Sequence, residues 1–251
     1  MALFKKKKQL DSSSMKNGVG LITVTKPTSS IAEQFRTIRT NVQFSSADRQ
    51  LKTLLFTSAD PSEGKSTISS NVAVTWADQG NKVLLIDSDL RRPTVARSFR
   101  VSNSQGLTTI LTAKQANLSE SIHETEVPNL YVLPSGPVPP NPSELLNSSK
   151  MDQLLKVLKE QFDIIILDVP PVNTVTDAQI LASKVDGVIL VVPQGIALKG
   201  AVLRARDLLK KVNANLIGAV LNRVTDAASG GYYVGYYGGY YGGYYGTDDK
   251  K

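Results

Sequence analysis

The chain has 251 residues, 41% of them hydrophobic and 20% charged, the proportions of one soluble domain with extra length at its ends. It contains no cysteine, which excludes disulfides and thiolate metal sites and fits a reducing compartment. The net charge of +7 is concentrated at one end: residues 1–26 hold six lysines against one aspartate.

The longest apolar runs, IIIL at 164–167 and VILVV at 188–192, are strand-length. A membrane-spanning helix needs about 20 apolar residues, so none is expected. Lys5–Lys8 are followed by QLDSSSMKNG, which lacks the apolar stretch of a signal peptide, and a cytoplasmic location is expected. No aromatic or basic stripe crosses the middle of the sequence, so nucleic-acid binding is not expected.

In chain order, residues 1–28 are rich in Lys, Ser and Gly and read as a flexible basic leader. Such an arm suits an anionic lipid surface or an acidic partner, or serves only as a solubilising segment. A folded domain over 29–225 follows, and residues 226–251 form a Gly/Tyr-rich tail. Ser30 and Glu33 make a capping-box pattern, and Ile31, Phe35, Ile38 and Val42 then predict an amphipathic helix over 30–45. Strands are predicted at 51–58, 82–87, 129–136, 163–171, 186–193 and 215–222. Helices are predicted at 65–79, 94–99, 106–113, 150–160, 177–184 and 199–211. The polar stretch SESIHETE places His123, the sole histidine, on the surface. Strands that are apolar throughout imply burial on both faces, and their alternation with helices predicts an α/β fold with a mostly parallel sheet.

Between the first strand and its helix stands SADPSEGKST (58–67). The phosphate-loop pattern is G-x-x-x-x-G-K-[ST]. Gly64, Lys65 and Ser66 match it, while Ala59 replaces the first glycine, which makes this a deviant Walker motif. The amides of Glu63, Gly64, Lys65, Ser66 and Thr67 are expected to cradle phosphates at the helix start. Lys65 is expected to reach the terminal phosphates, and the Ser66 hydroxyl to ligate Mg²⁺. Two further acidic sites end strands, where ligands bind in open α/β sheets. These are Asp87 and Asp89 in VLLIDSDLRRP, and Asp168 in IIILDVPP. Guanine recognition would call for N-K-x-D after a late strand, but NRVT occupies 222–225, so ATP is favoured over GTP. Asn222 reads as a contact to the base edge or as a turn former.

Eight of the nine tyrosines lie in the tail, in four pairs. They are Tyr232 and Tyr233, Tyr236 and Tyr237, Tyr240 and Tyr241, and Tyr244 and Tyr245. Glycine neighbours give these phenols nothing to pack against, so the strip reads as a substrate attached to its own enzyme. About 20 flexible residues span roughly 25 Å root-mean-square and about 65–70 Å when stretched, enough to reach a neighbouring subunit.

These motifs, with the loop PSGPVPPNPSELL, resemble the bacterial tyrosine kinases of capsule and exopolysaccharide synthesis, of the type whose membrane activator is a separate protein. Glu33, Arg36 and Arg39 match that family's E-x-x-R-x-x-R oligomerisation motif, although the same spacing also forms ordinary intrahelical pairs. The resemblance implies ATP- and Mg²⁺-dependent autophosphorylation of the tail, in trans within a homo-oligomeric, octameric ring. It also implies a transmembrane activator that recruits the chain to the inner face of the membrane, a cognate tyrosine phosphatase, and control of polysaccharide chain length and export. Lys65, Asp87 and Asp89 are then the catalytic residues, and Ser66, Asp87 and Asp168 the metal ligands. Asp87 would orient or deprotonate the incoming phenol, with Asp89 assisting, and Arg91 and Arg92 would hold the tail or remain surface charge. Two other readings stand beside this one. A partition or division-site ATPase shares the deviant loop but has its signature lysine where this chain has Asp60. A nucleotide-gated scaffold would use the Gly/Tyr tail without phosphate.

Overall fold

The computed structural model describes residues 13–45, 51–113 and 117–224, and Lys5–Lys8 lie outside them. The expected phosphoacceptors Tyr232, Tyr233, Tyr236, Tyr237, Tyr240, Tyr241, Tyr244 and Tyr245 also lie outside the described residues. The amino-terminal part comprises α1 (Ser14–Asn17), α2 (Ile22–Thr25) and α3 (Ser30–Phe44). Then come β1 (Thr53–Ser58), α4 (Lys65–Ala77), β2 (Val83–Asp87), α5 (Val95–Ser98), α6 (Leu107–Thr112) and α7 (Leu118–Ser121). The middle of the chain forms β3 (His123–Glu124), β4 (Leu130–Leu133), α8 (Pro142–Leu146), α9 (Ser149–Gln161) and β5 (Ile164–Asp168). It closes with α10 (Asp177–Ala182), β6 (Gly187–Pro193), α11 (Lys199–Lys211) and β7 (Leu216–Asn222).

The strands form one sheet in the order β3-β4-β2-β5-β1-β6-β7. All neighbours are parallel except β3, which runs antiparallel to β4. Side chains alternate between the two faces. On one face Leu55, Leu84, Ile86, Ile165, Leu167 and Leu190 pack with Leu155 and Leu158 of α9, Leu181 of α10 and Leu209 of α11. On the other, Leu54, Phe56, Leu85, Ile166 and Val191 meet Val72 and Trp76 of α4 and Phe35 of α3. Two covered faces account for strands that read as apolar throughout. The exception is β7, which lies at the sheet edge, so several of its residues stay exposed.

The amino-terminal boundary differs from the sequence reading. Residues 13–28, expected within a flexible leader, are folded against the domain. Asn71 of α4, fully buried, accepts from the backbone and hydroxyl of Thr23 at 3.0 and 2.9 Å and donates to the Gly20 carbonyl at 2.9 Å. Val19 N–H donates to Ser98 Oγ at 2.9 Å, and Arg97 donates to the Lys16 carbonyl at 2.8 Å. At Gly18, with φ of 74°, a Cβ would lie 2.6 Å from the Ser98 backbone, so only glycine permits this approach. The polarity of SSSMKNG concealed the attachment, because backbone and amide hydrogen bonds carry it.

Packing also departs from the sequence reading at three smaller points. Ile31, placed by its spacing on the buried face, is 49% exposed, and Ala32 takes the covered position instead. His123 sits half-buried on β3, and its Nε2 is buried without a hydrogen-bond partner among the described residues. The helices α7 and α8 have no counterpart in the sequence reading: proline at N1 fits a helix start, but PVPPNPSELL reads first as a loop.

Candidate active site

Residues 59–64 turn from β1, at the centre of the sheet, into α4. Ala59 is fully buried within the core, which explains how a methyl group replaces the first glycine of the motif. Ser62 and Gly64 take positive φ, 62° and 96°. A Cβ on Gly64 would lie 2.2 Å from Asn222 Nδ2, so here the glycine is required twice over. Asn222, read as a base-edge contact or a turn former, gives its amide to the Glu63 carbonyl at 3.0 Å, and Arg223 Nη2 reaches the Ser62 carbonyl at 3.3 Å. The Glu63 carboxylate accepts the Asp60 N–H at 3.1 Å, and burial raises its pKa. Thus β7 supports the loop from outside, and the amides at the start of α4 face the cleft.

Lys65 does not point to solvent. Its Nζ lies 2.9 Å from Asp89 Oδ2 and 3.6 Å from Asp168 Oδ1, and it donates to Ser66 Oγ at 3.2 Å. Burial alone would lower the lysine's pKa, but Asp168 and Asp89 outweigh it and push the value up. Asp87 and Asp168 sit side by side in register on β2 and β5, and both are fully buried. Asp87 Oδ2 accepts the N–H groups of Thr94 and Val95, each at 2.9 Å, and Oδ1 accepts the Asp89 N–H at 3.3 Å, so both oxygens are already engaged, Oδ1 more weakly. Neither oxygen of Asp168 has a hydrogen-bond partner among the described residues.

Lys65, at 3.6 Å, offsets part of the buried Asp168 charge, and the unbonded oxygen lone pairs leave room for a further cation or ligand. Hard oxygen donors fit Mg²⁺, which keeps several waters and takes few protein carboxylates. Asp168, Asp87 and the Ser66 hydroxyl are the residues that would hold it. Among the described residues no group of three His, Cys, Asp or Glu is set to bind a metal, so phosphate and water would complete the shell.

Burial, reinforced by Asp168, raises the Asp87 pKa to about 8. Burial likewise raises Asp168, against the pull of Lys65. Between the ordinary carboxylate range and about pH 8, the native protein therefore holds a proton that the unfolded chain has released. This contribution to stability is complete below about pH 4 and lost as pH rises through about 8. Urea unfolding of ligand-free protein from pH 5 to 8.5 is expected to show a smaller decline in Asp87→Asn than in wild type. Parallel pH profiles would remove Asp87 as the cause.

The cleft beside these groups has a volume of about 290 Å³. Its walls include Gly64–Thr67, Asp89, Arg92, Thr94, Pro171 and Met15 of the amino-terminal segment. Asp89 lines this space whereas Asp87 does not. The Thr94 hydroxyl is buried without a partner among the described residues and lines the same cleft. Arg91, read as a tail contact or as surface charge, lines the cleft and also pairs with the fully buried Asp177, with Nε to Oδ2 at 3.0 Å and Nη2 to Oδ1 at 3.2 Å. Arg92 remains exposed. Glu33 and Arg36 form an i,i+3 ion pair; Arg36 also donates to the Pro27 carbonyl at 2.9 Å, and Arg39 to the Thr75 carbonyl at 2.8 Å. Sequence reasoning missed Asn71, Thr94, Ser143 and Asp177. Apart from Thr94, their partners lie dozens of residues away, and no local spacing marks them.

A phosphate loop at the end of the central parallel strand, beside a buried lysine–carboxylate group, defines a P-loop protein built for nucleotide phosphate chemistry. A family model described as an AAA domain matches residues 52–217. The chain is 44% identical to tyrosine-protein kinase YwqD of Bacillus subtilis, over 85% of this chain and 90% of that one. Among solved structures, the chimerical protein CapA2B2 superposes with a TM-score of 0.78 at 39% identity, covering 83% of this chain and 93% of that one. The kinase domain of the Escherichia coli tyrosine kinase ETK gives 0.79 at 35% identity, covering 84% and 82%. The division ATPase MinD of Pyrococcus furiosus is more distant, at 0.60 and 29% identity over 70% and 74%. The chain belongs to the bacterial tyrosine kinases, enzymes that transfer a phosphoryl group from ATP to protein tyrosine.

Proposed function

We propose that this chain is an autokinase that phosphorylates its own carboxy-terminal tyrosines, from Tyr232 to Tyr245, in trans within a cyclic oligomer. The observation that carries this reading is the buried cluster of Lys65, Asp89 and the donor-free Asp168 beside the phosphate loop, in a chain that ends in four tyrosine pairs. Bound Mg-ATP supplies the γ-phosphoryl group and a cation to offset its charge. Lys65 exchanges its contact with Asp89 for the phosphates, and the backbone from Glu63 to Thr67 cradles them. Asp168 and Ser66, with Asp87, hold the cation. Asp89, released by Lys65 and lining the cleft, orients the incoming phenol and takes its proton; free tyrosine has a pKa of about 10, so a carboxylate beside a cation is a sensible acceptor. The phenolic oxygen bonds to the γ-phosphorus as the bond to the bridging oxygen of ADP breaks.

The oligomer is proposed as an octameric ring in which Glu33, Arg36 and Arg39 of α3 meet a neighbouring subunit. Glu33 remains exposed at 64% of its side chain, available for such a contact. No helix among the described residues is long and apolar enough to cross a membrane. A separate transmembrane activator is proposed to recruit the chain to the inner face of the membrane, and a cognate phosphatase to reset it. The process served is polymerisation and export of a capsular or extracellular polysaccharide. Eight phosphotyrosines would add roughly −12 to −16 charges per chain, so phosphorylation is expected to loosen the ring through repulsion between tails. The test is incubation with Mg-ATP and the activator's cytoplasmic segment, then mass-spectrometric mapping and size analysis. Phosphate on the tail and a smaller assembly are expected. A tail without phosphate refutes the autokinase reading, and an unchanged assembly refutes the loosening.

A further inference from the structure

We propose that Arg91 and Asp177, steadied by Ser143, form a positioning clamp that holds the Asp87–Asp89 loop at working distance from the phosphate loop. The proposal rests on the kinase reading above and deepens it. Asp177, at the start of α10, is fully buried, and every side-chain donor it has among the described residues comes from another part of the chain. Arg91 Nε donates to its Oδ2 at 3.0 Å and Nη2 to its Oδ1 at 3.2 Å. Ser143 Oγ of α8 donates to Oδ1 at 2.6 Å and itself accepts from Arg91 Nη2 at 3.1 Å. Three segments therefore meet on one carboxylate: the loop after β2, the proline-rich stretch before α9, and the segment after β5.

The geometry around Arg91 shows what the clamp controls. The chain after β2 winds tightly around its own carboxylates. Asp89 N–H donates to Asp87 Oδ1 at 3.3 Å, Arg92 N–H to Asp89 Oδ1 at 3.0 Å, and Thr94 and Val95 to Asp87 Oδ2. These bonds are all local and fix the loop's shape; its first half is tied to the rest of the site by Ser88 N–H, which donates to the Asp168 carbonyl at 2.9 Å, and by Asp89, which pairs with Lys65 at 2.9 Å. Arg91, two residues beyond Asp89, carries a long-range tie on this stretch. It joins the stretch that contains Asp89 to the segment after β5, whose Pro170, Pro171, Thr174 and Val175 also line the cleft and which leads into α10 at Asp177. Stability alone is a poor reason for such a pair, since well-packed apolar side chains in the same volume often do as well or better. What a bidentate arginine fork supplies is direction, which a lysine or an apolar contact cannot reproduce. The clamp also gives a role to Ser143 of PSGPVPPNPSELL, a motif that the phosphoryl-transfer chemistry leaves without a function.

The test uses full-length Arg91→Ala, Arg91→Lys and Asp177→Asn. Magnesium with a fluorescent N-methylanthraniloyl ADP reads nucleotide affinity, phosphotyrosine formation reads kcat, and thermal melting reads folding. A misplaced acceptor wall is expected to lower kcat about 10-fold or more, with the nucleotide Kd within about twofold of wild type. Arg91→Lys should retain more activity than Arg91→Ala. A folded Asp177→Asn with kcat near wild type overturns the clamp, as does a Kd that worsens in step with kcat. Should Asp177→Asn fail to fold, Ser143→Ala keeps the ion pair and is expected to lower kcat by a smaller factor at unchanged Kd; unchanged kcat in that variant overturns the proposal. Wild-type protein that forms no phosphotyrosine refutes the autokinase reading instead, and the clamp is then judged by Mg-ATP hydrolysis in the same variants.

Discussion

Lys65→Met is expected to abolish tyrosine phosphorylation, with kcat lower by about 10³-fold or more. Removing one preorganised charge from a water-poor phosphoryl-transfer site costs roughly this much, because a cation and backbone amides do not replace a side-chain charge that follows the transferring group as it moves. The structure adds a second consequence. Lys65 is the cation that sits among the buried carboxylates Asp87, Asp89 and Asp168. Methionine fills much of the same volume and leaves those carboxylates uncompensated. An unpaired buried charge costs about 3–5 kcal/mol, less whatever is recovered when a carboxylate takes up a proton. The ligand-free variant should therefore melt below wild type, and the gap should narrow toward pH 5. Phosphotyrosine detection and thermal melts at pH 5 and pH 8 check both parts. Activity within about tenfold of wild type would contradict the assignment of Lys65 to the phosphates.

The second large effect concerns the tail. Replacing all eight tail tyrosines by phenylalanine is expected to reduce phosphate incorporation to background while leaving nucleotide affinity and folding unchanged. Those residues lie outside the described part of the structure, and their chemistry and reach carry the expectation. Each phenol stands beside glycine or another phenol, and each pair repeats the last with little difference. Replacing one pair at a time, from Tyr232 and Tyr233 through Tyr236 and Tyr237 and Tyr240 and Tyr241 to Tyr244 and Tyr245, should lower the total load by about a quarter each, since the chain holds four equivalent pairs. Intact-mass spectrometry counts the phosphates. Complete loss on removal of a single pair would show that one pair primes the others, and persistent incorporation without any tail tyrosine would move the acceptor to Tyr131 or to another protein.

Much of the fold was legible in the chain. The apolar strands ending in Ser58, Asp87 and Asp168 required cover on both faces, and the helices that supply it were visible between them. Gly64-Lys65-Ser66 could be placed at a strand–helix turn before any coordinates, because backbone geometry and phosphate chemistry both depend on local sequence. The misreadings share one cause. Thr23 and Asn71 are 48 residues apart and Arg91 and Asp177 are 86 apart, so their residue types, polar and ordinary, carry no sign of burial until the chain folds. For the same reason the bond from the Asn222 amide to the Glu63 carbonyl, across 159 residues, had no mark in a sequence that read Asn222 as a base contact or a turn former.

By itself, the sequence determined the architecture, the position of the phosphate loop, the two acidic strand ends and the tyrosine strip. Each of these depends on spacing within a few residues. Only the tertiary structure decided which carboxylate lines the cleft, that Arg91 is bound to Asp177, that Asp168 has no donor among the described residues, and that residues 13–28 belong to the folded domain. Those outcomes depend on which distant groups meet away from water, where each buried charge or hydrogen-bonding group must find a partner or bear the cost of having none.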